Sequence, residues 1–262
     1  MADYRALLRV LENERPGRAV FFEYALSREL AEQLIWRRGS HLWETEAARV
    51  QTLADAAAAA GFDCAAAELA FSDGFPGLRG LQLAEGMKLA AGLSGSADPD
   101  MLEERYRVLA EEDAVCAVIV RNVPCGTPEK YRRFAGAVHR AGKPCIWADS
   151  SSQPIPLEEL ADCGFDGIHL TESYGVPMEV LLDRFGKRWA LLGDTRFSWL
   201  VRQKPRDIID YCQGLFQRTG GKGYAFGTGN PEGRPIPYLS YVAILSAYLR
   251  GREGTNYLMF IF

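Results

Sequence analysis

The sequence predicts an α/β fold in which short parallel strands alternate with helices. Eight short apolar runs recur along the 262 residues, and polar residues or glycines follow most of them. The stretches between them are rich in Ala, Leu, Glu and Arg, which is typical of crossover helices. Strands separated by helices pair in parallel, and eight such units predict a closed (β/α)8 barrel, the TIM barrel, as a single compact domain over residues 1–262.

Each element has its own local signal. The predicted strands are residues 19–24, 64–69, 87–93, 115–120, 144–147, 167–170, 189–192 and 223–226. The Ala-rich helix that begins at Thr45 stops at Gly61, and the helix that begins at Thr127 and Pro128 stops at Gly142. Further helices are predicted after Asp98-Pro99 and after Lys204-Pro205, because proline favours the first helical position.

A doubly wound open sheet is the competing architecture. That fold places a glycine-rich turn after its first strand, where a dinucleotide would bind. Residues 23–28 contain no glycine, so the barrel is the favoured interpretation.

Composition narrows the functional class. The net charge of −4 and the scattered arginines give no basic surface for nucleic acid, and no apolar stretch is long enough to span a membrane. The N-terminal residues lack the apolar core of a signal peptide, and the six cysteines form no C-x-x-C pair. We therefore expect a cytoplasmic protein with free thiols.

Candidate functional residues follow the predicted strands, because the chemistry of such barrels lies at the carboxyl ends of their strands. His169 alternates with Ile168 and Leu170, so it faces the barrel interior if they face the helices; a core histidine with a satisfied hydrogen bond remains the alternative. Glu68 lies near the end of the second strand. The candidate catalytic residues are Asp73, Asp149, His169 and Glu172, and the candidate substrate-binding residues are Glu23, Arg121, Asn122, Asp194, Arg196 and Asn230.

No metal site is predicted, because zinc requires convergent His and Cys ligands and only His169 is a clear candidate near the mouth. The glycine-rich run at residues 220–231 surrounds the last strand and ends at Asn230. Glycines there permit a sharp turn and the close approach of a ligand, although a simple chain reversal has the same signature.

The chain resembles the uroporphyrinogen decarboxylase superfamily, most clearly over residues 127–249. The resemblance rests on residues 128–134, 142–146, 164–167, 185–193 and 223–231, with weaker matches at residues 18–22 and 71–73. It implies a (β/α)8 barrel with Asp73 at the position of the decarboxylase's catalytic aspartate. Within that superfamily, the chain is most similar to short members of the methyltransferase-like branch. This resemblance implies a corrinoid (cobalamin) held on a partner protein rather than a tightly bound cofactor.

The departures from that family limit what the resemblance implies. Residues 23–27 lack the arginines that bind the carboxylates of a tetrapyrrole, and Asn230 replaces a family histidine or zinc cysteine. Residues 148–150 lack the His-x-Cys pair of the zinc-dependent methyltransferases.

Three functions remain open. The first is a zinc-free, corrinoid-linked methyltransferase-like enzyme acting on a small polar or acidic molecule, with Arg121 or Arg196 binding an anionic group. The second is a lyase that decarboxylates a porphyrinogen-like or smaller acid. The third is a barrel that binds a ligand without catalysis. A homodimer is a further possibility, since the apolar residues 257–262 could pack under the barrel or against a second copy.

Overall fold

A computed structural model describes residues 2–72, 74–94, 99–123, 126–148, 155–169, 174–193, 195–230 and 233–253. Seven strands form one parallel sheet whose spatial order follows the sequence. They are β1 (Ala65–Ala70), β2 (Leu89–Ser94), β3 (Val115–Arg121), β4 (Cys145–Ala148), β5 (Gly167–His169), β6 (Ala190–Leu192) and β7 (Tyr224–Ala225). Each coincides with a predicted strand to within a few residues, and the α/β barrel is confirmed.

Residues 19–24 occupy the place of the remaining strand. They join the sheet through a parallel bridge between Phe21 and Phe226, beyond the end of β7. Two backbone hydrogen bonds secure this bridge, from Phe22 N to Phe226 O at 2.7 Å and from Phe226 N to Val20 O at 2.8 Å. The predicted first strand is therefore present as a short bridged segment.

Helices cover the outside of the sheet. Within the described ranges they are α1 (Tyr4–Leu11), α2 (Arg28–Leu34), α3 (Glu46–Ala59), α4 (Pro99–Glu111), α5 (Pro128–Arg140), α6 (Leu157–Leu160), α7 (Met178–Phe185), α8 (Phe197–Leu200), α9 (Pro205–Thr219) and α10 (Tyr238–Glu253). Thr45 and Thr127 accept hydrogen bonds from backbone N–H groups in the first turns of α3 and α5, as the sequence predicted. Gly220, with a φ of 60°, ends α9 in the left-handed region.

The side chains of the strands alternate between two apolar layers. Outward residues such as Leu69, Val118 and Ile168 pack against the helices. Inward residues such as Ile119 and Ile146 fill the barrel interior. This alternation directs the last inward residue of each strand towards the barrel mouth.

Helix α1 supplies the base of the interior layer. Leu7, Val10 and Leu11 are buried in the same cluster as Phe22 and Ile146. A side chain on Gly167 would lie 2.7 Å from Leu11 Cδ2, which shows how closely α1 approaches β5. The helix therefore closes the amino-terminal end of the barrel, opposite the mouth.

Side chains join residues 19–24 to the β1 side of the barrel. Arg18 forms an ion pair with buried Asp63, and the rings of Phe21 and Phe62 stack with centroids 4.4 Å apart. Tyr24 donates a hydrogen bond to Glu68 nearer the mouth. Among the described residues, no ladder hydrogen bonds link this segment to β1, so the barrel has a seam here that side chains close.

Candidate functional site

Four polar side chains meet in the uppermost interior layer of the barrel. Tyr24 follows the bridged segment, while Glu68, Arg121 and His169 lie at or near the ends of β1, β3 and β5. The hydroxyl of Tyr24 and Nη1 of Arg121 both donate to Oε1 of Glu68. The rings of Tyr24 and His169 lie 5.3 Å apart between centroids. We call these four residues the interior cluster.

The interior cluster pairs a carboxylate with a cation and a phenol. Burial raises the pKa of Tyr24 well above its ordinary value, and the charge of Glu68 raises it further. The phenol therefore stays protonated and serves as a donor. Arg121 offsets the charge of Glu68, and both side chains keep part of their surface exposed, at 29% and 25%. The cluster therefore presents the guanidinium of Arg121 and a compensated carboxylate to the mouth.

His169 is completely buried, and its protonation state follows from its contacts. Its Nε2 lies 2.9 Å from the carbonyl oxygen of Thr228. A carbonyl only accepts, so Nε2 carries the proton. Burial lowers the pKa of His169 to about 4, which leaves the imidazole neutral at pH 7. Nδ1 is then a lone-pair acceptor, and it has no hydrogen-bond partner among the described residues.

Gly193, directly after β6, makes room for this histidine. Its φ is +59°, and a Cβ there would lie 2.8 Å from His169 Nε2 and 2.7 Å from Thr228 O. Such distances are well below van der Waals contact. Gly193 is thus required both for its left-handed backbone and for the hydrogen bond between His169 and Thr228.

Thr228 connects His169 to Glu23, a buried carboxylic acid. Its hydroxyl donates to Oε1 of Glu23 at 2.6 Å, and the hydroxyl of Tyr241 in α10 lies 3.2 Å from Oε2. Burial raises the pKa of Glu23 to about 8, although both hydrogen bonds oppose the shift. Glu23 is only 4% exposed. It lies behind the interior layer, where it holds the strand end that orients His169.

The other described candidates lie apart from the interior cluster. Asn230 is buried, and its amide closes its own loop by donating to Arg234 O and accepting from Arg234 N. Asn122 accepts from the hydroxyl of Tyr131 at 2.6 Å. Arg196 is exposed and precedes α8. Their substrate-binding roles remain predictions.

Four of the predicted site residues, Asp73, Asp149, Glu172 and Asp194, lie outside the described residues, as does the apolar segment 257–262. In the part of the chain that is described, no three His, Cys, Asp or Glu side chains are grouped as metal ligands. Within the same part, no helix combines the length and apolar character needed to cross a membrane.

Sequence reasoning assigned no role to Tyr24, Glu68 or Thr228. The alternation of Val20, Phe22 and Tyr24 was a usable signal, because it places all three on one face of the first strand. Glu68 is likewise a carboxylate within an otherwise alanine-rich strand. The role of Thr228 rests on its backbone carbonyl, which no residue identity reveals.

Comparison with solved structures agrees with the barrel fold. A methyltransferase from Methanosarcina mazei superimposes with a TM-score of 0.67 at 13% identity, covering 95% of this chain and 99% of its own. A sugar phosphate isomerase/epimerase from Parabacteroides distasonis matches with a TM-score of 0.49, at 12% identity over 88% of this chain and 96% of its own. No protein-family model and no curated protein sequence matches the chain. At such identities the likeness establishes the fold alone.

Proposed function

We propose that this protein is a methyltransferase-like barrel enzyme that acts on a small polar or acidic molecule at the barrel mouth. One observation carries the proposal: a fully buried, neutral histidine holds an acceptor atom that has no partner among the described residues, beside a Tyr–Glu–Arg cluster at the strand ends. Buried polar atoms are rarely left without partners, and a catalytic role is one explanation for such an atom. The overall likeness to a methyltransferase of known structure adds support for the reaction class.

His169 is the proposed proton acceptor. When a neutral hydroxyl or thiol is methylated, the proton that its oxygen or sulfur atom still carries becomes strongly acidic. Nδ1 of His169 can take that proton even though burial lowers its pKa, because the proton donor is then a strong acid. Arg121 orients an anionic group of the substrate, Tyr24 holds Glu68 through its hydroxyl, and Asp73, Asp149 and Glu172 remain proposed acid–base groups.

The finer proposal places the methyl group on a corrinoid held by a partner protein. The corrinoid would supply or take up the methyl group. The partner protein would keep the corrinoid and present it at the barrel mouth, where Glu68 and Arg121 keep 25% and 29% of their side-chain surface exposed.

A methyl-transfer assay tests this function. Purified protein is mixed with methylcobalamin and a panel of small thiols, amines and hydroxy acids, and demethylation is followed by absorbance. We expect turnover with at least one class of acceptor, a loss of about 100-fold in kcat for His169→Gln, and an unchanged rate for His41→Gln, whose side chain is exposed.

The alternatives give different results in the same preparation. Release of carbon dioxide from a carboxylic acid, without methyl transfer, would indicate a lyase. Binding of acceptors without either reaction would indicate a barrel that binds a ligand without catalysis. Equal demethylation by wild type and His169→Gln would contradict the assignment of the proton acceptor.

A further inference from the structure

A polar cavity opens at the seam between residues 19–24 and β1. It has a volume of about 300 Å³. Tyr24 and Glu68 line it from the interior cluster. Ser27, Arg28 at the start of α2 and Arg49 in α3 line the rest. The cavity therefore reaches the interior cluster from the side of the barrel.

The backbone of β1 explains why this cavity is polar. Ala65, Ala67 and Leu69 direct their backbone groups towards β2, which leaves Glu68 and Ala70 facing the seam. Side chains of α3 replace the missing strand at two of these groups. Glu46 accepts from Ala70 N, and Arg49 donates to Glu68 O. By the same alternation, the N–H of Glu68 points to the seam side of β1.

The two arginines retain free donors beside that N–H. Among the described residues, Arg49 bonds to Glu68 O through Nη2, and its carboxylate contact with Glu46 is 3.9 Å long. Both oxygens of Glu46 are already occupied by backbone N–H groups. Arg28 bonds to Glu32 through Nε alone, at 2.9 Å. The remaining guanidinium N–H groups are suited to the planar, paired oxygens of an oxyanion.

We propose that the seam cavity binds the oxyanion of a small acidic substrate, a carboxylate or a phosphate. Arg49 is its principal partner, with Arg28 and the N–H of Glu68 as further donors. The carboxylate of Glu68 does not repel such a ligand strongly, because Tyr24 and Arg121 already hold it. The inference rests on the proposed function in one respect: it places the reactive end of the same ligand at the interior cluster.

Calorimetric titration tests the seam cavity without requiring turnover. Succinate and inorganic phosphate are each titrated into the full-length protein at pH 7 in an amine buffer. We expect at least one of them to bind, and Arg49→Gln to weaken binding by about tenfold or more, because a charged hydrogen-bond partner is lost. Arg28→Gln should weaken binding less. Arg37→Gln, which alters an exposed arginine outside the cavity, should bind like the wild type.

The two probes distinguish the chemical source of the oxyanion. Binding of succinate alone indicates a carboxylate ligand, and binding of phosphate alone indicates a phosphate ligand. Failure of both probes to bind, or equal affinity in Arg49→Gln and wild type, would overturn the proposal. If Arg49→Gln lowers the melting temperature markedly, the binding affinities of Arg49→Lys and Arg28→Gln for the same probes test the proposal instead. Because calorimetry needs no turnover, binding of a probe without any methyl transfer would count against the proposed function and leave this inference standing.

Discussion

The protonation and orientation of His169 depend on Thr228 and Gly193, which lie beside it, and on Glu23, which acts through Thr228. The carbonyl of Thr228 fixes the proton on Nε2, and Gly193 leaves space for that contact. Glu23 contacts Thr228 from the opposite side and holds the strand end in place. A neutral imidazole with an open Nδ1 is the combined result, which makes His169 an acceptor instead of a charged group.

Gly193→Ala should disrupt this arrangement. The added methyl would lie 2.8 Å from His169 Nε2 at a backbone φ of +59°, so we expect a loss of about 2–4 kcal/mol in the free energy of unfolding. Gly142→Ala is the matched control, because its φ is +74° and nothing lies within 4 Å of the new methyl. It should cost only about 1 kcal/mol, from backbone strain alone. Equal costs in urea unfolding would contradict the steric account.

Glu23 should make stability depend on pH. Its pKa is raised from 4.5 to about 8 in the folded protein, so its contribution is fully present below pH 4.5 and is lost as pH rises through 8. The free energy of unfolding should therefore fall across this window in the wild type. Glu23→Gln keeps the shape without the charge, and it should flatten the profile measured by urea unfolding between pH 5 and 8.5. A parallel profile in the variant would show that Glu23 is ionised at neutral pH.

Helix α1 is the element whose role differs most from its appearance in the sequence. It looks like an ordinary charged surface helix, yet four of its residues (Ala6, Leu7, Val10 and Leu11) are buried in the barrel base. It thus completes the interior layer that supports the mouth from below.

Leu7→Ala should therefore cost about 2–5 kcal/mol in the free energy of unfolding, because it empties volume in a packed interior. Leu239→Ala is the control, since Leu239 is 60% exposed on α10; it should change stability by less than about 0.5 kcal/mol. Urea denaturation of both variants measures the difference. A small effect at Leu7 would mean that α1 is not part of the cooperative core.

The strands could be predicted from the sequence because each is a short apolar run that ends near glycines or polar residues. Gly61 and Gly142 marked helix ends equally well, and each has a positive φ. The seam could not be predicted in this way. Residues 19–24 are as apolar as the other strands, and only the relative placement of strands determines whether their backbones pair.

At the scale of the whole molecule, barrel closure brings together residues that are far apart in the chain. Tyr24 and Glu68 are separated by 44 positions, and Glu68 and Arg121 by 53. Sequence reasoning placed Arg121 and His169 at the mouth, because each ends a recognisable strand. It had no means of pairing Arg121 with Glu68, since that contact depends on strand order and on the inward direction of both side chains.

The same closure gives the molecule two polar regions that share residues. The interior cluster lies at the ends of the strands, and the seam cavity reaches it beside Tyr24 and Glu68. A ligand with an acidic end and a methyl-accepting end could occupy both regions at once.

Nitrogen-15 NMR of the three histidines tests the central claim most directly. We predict that His169 is neutral at pH 6 with its proton on Nε2, and that Nδ1 resonates as an unprotonated nitrogen. Addition of an acceptor that supports methyl transfer should shift the Nδ1 resonance of His169 and leave the resonances of His41 unchanged. A charged His169 at pH 6, or an Nδ1 resonance that does not respond to saturating acceptor, would contradict the account.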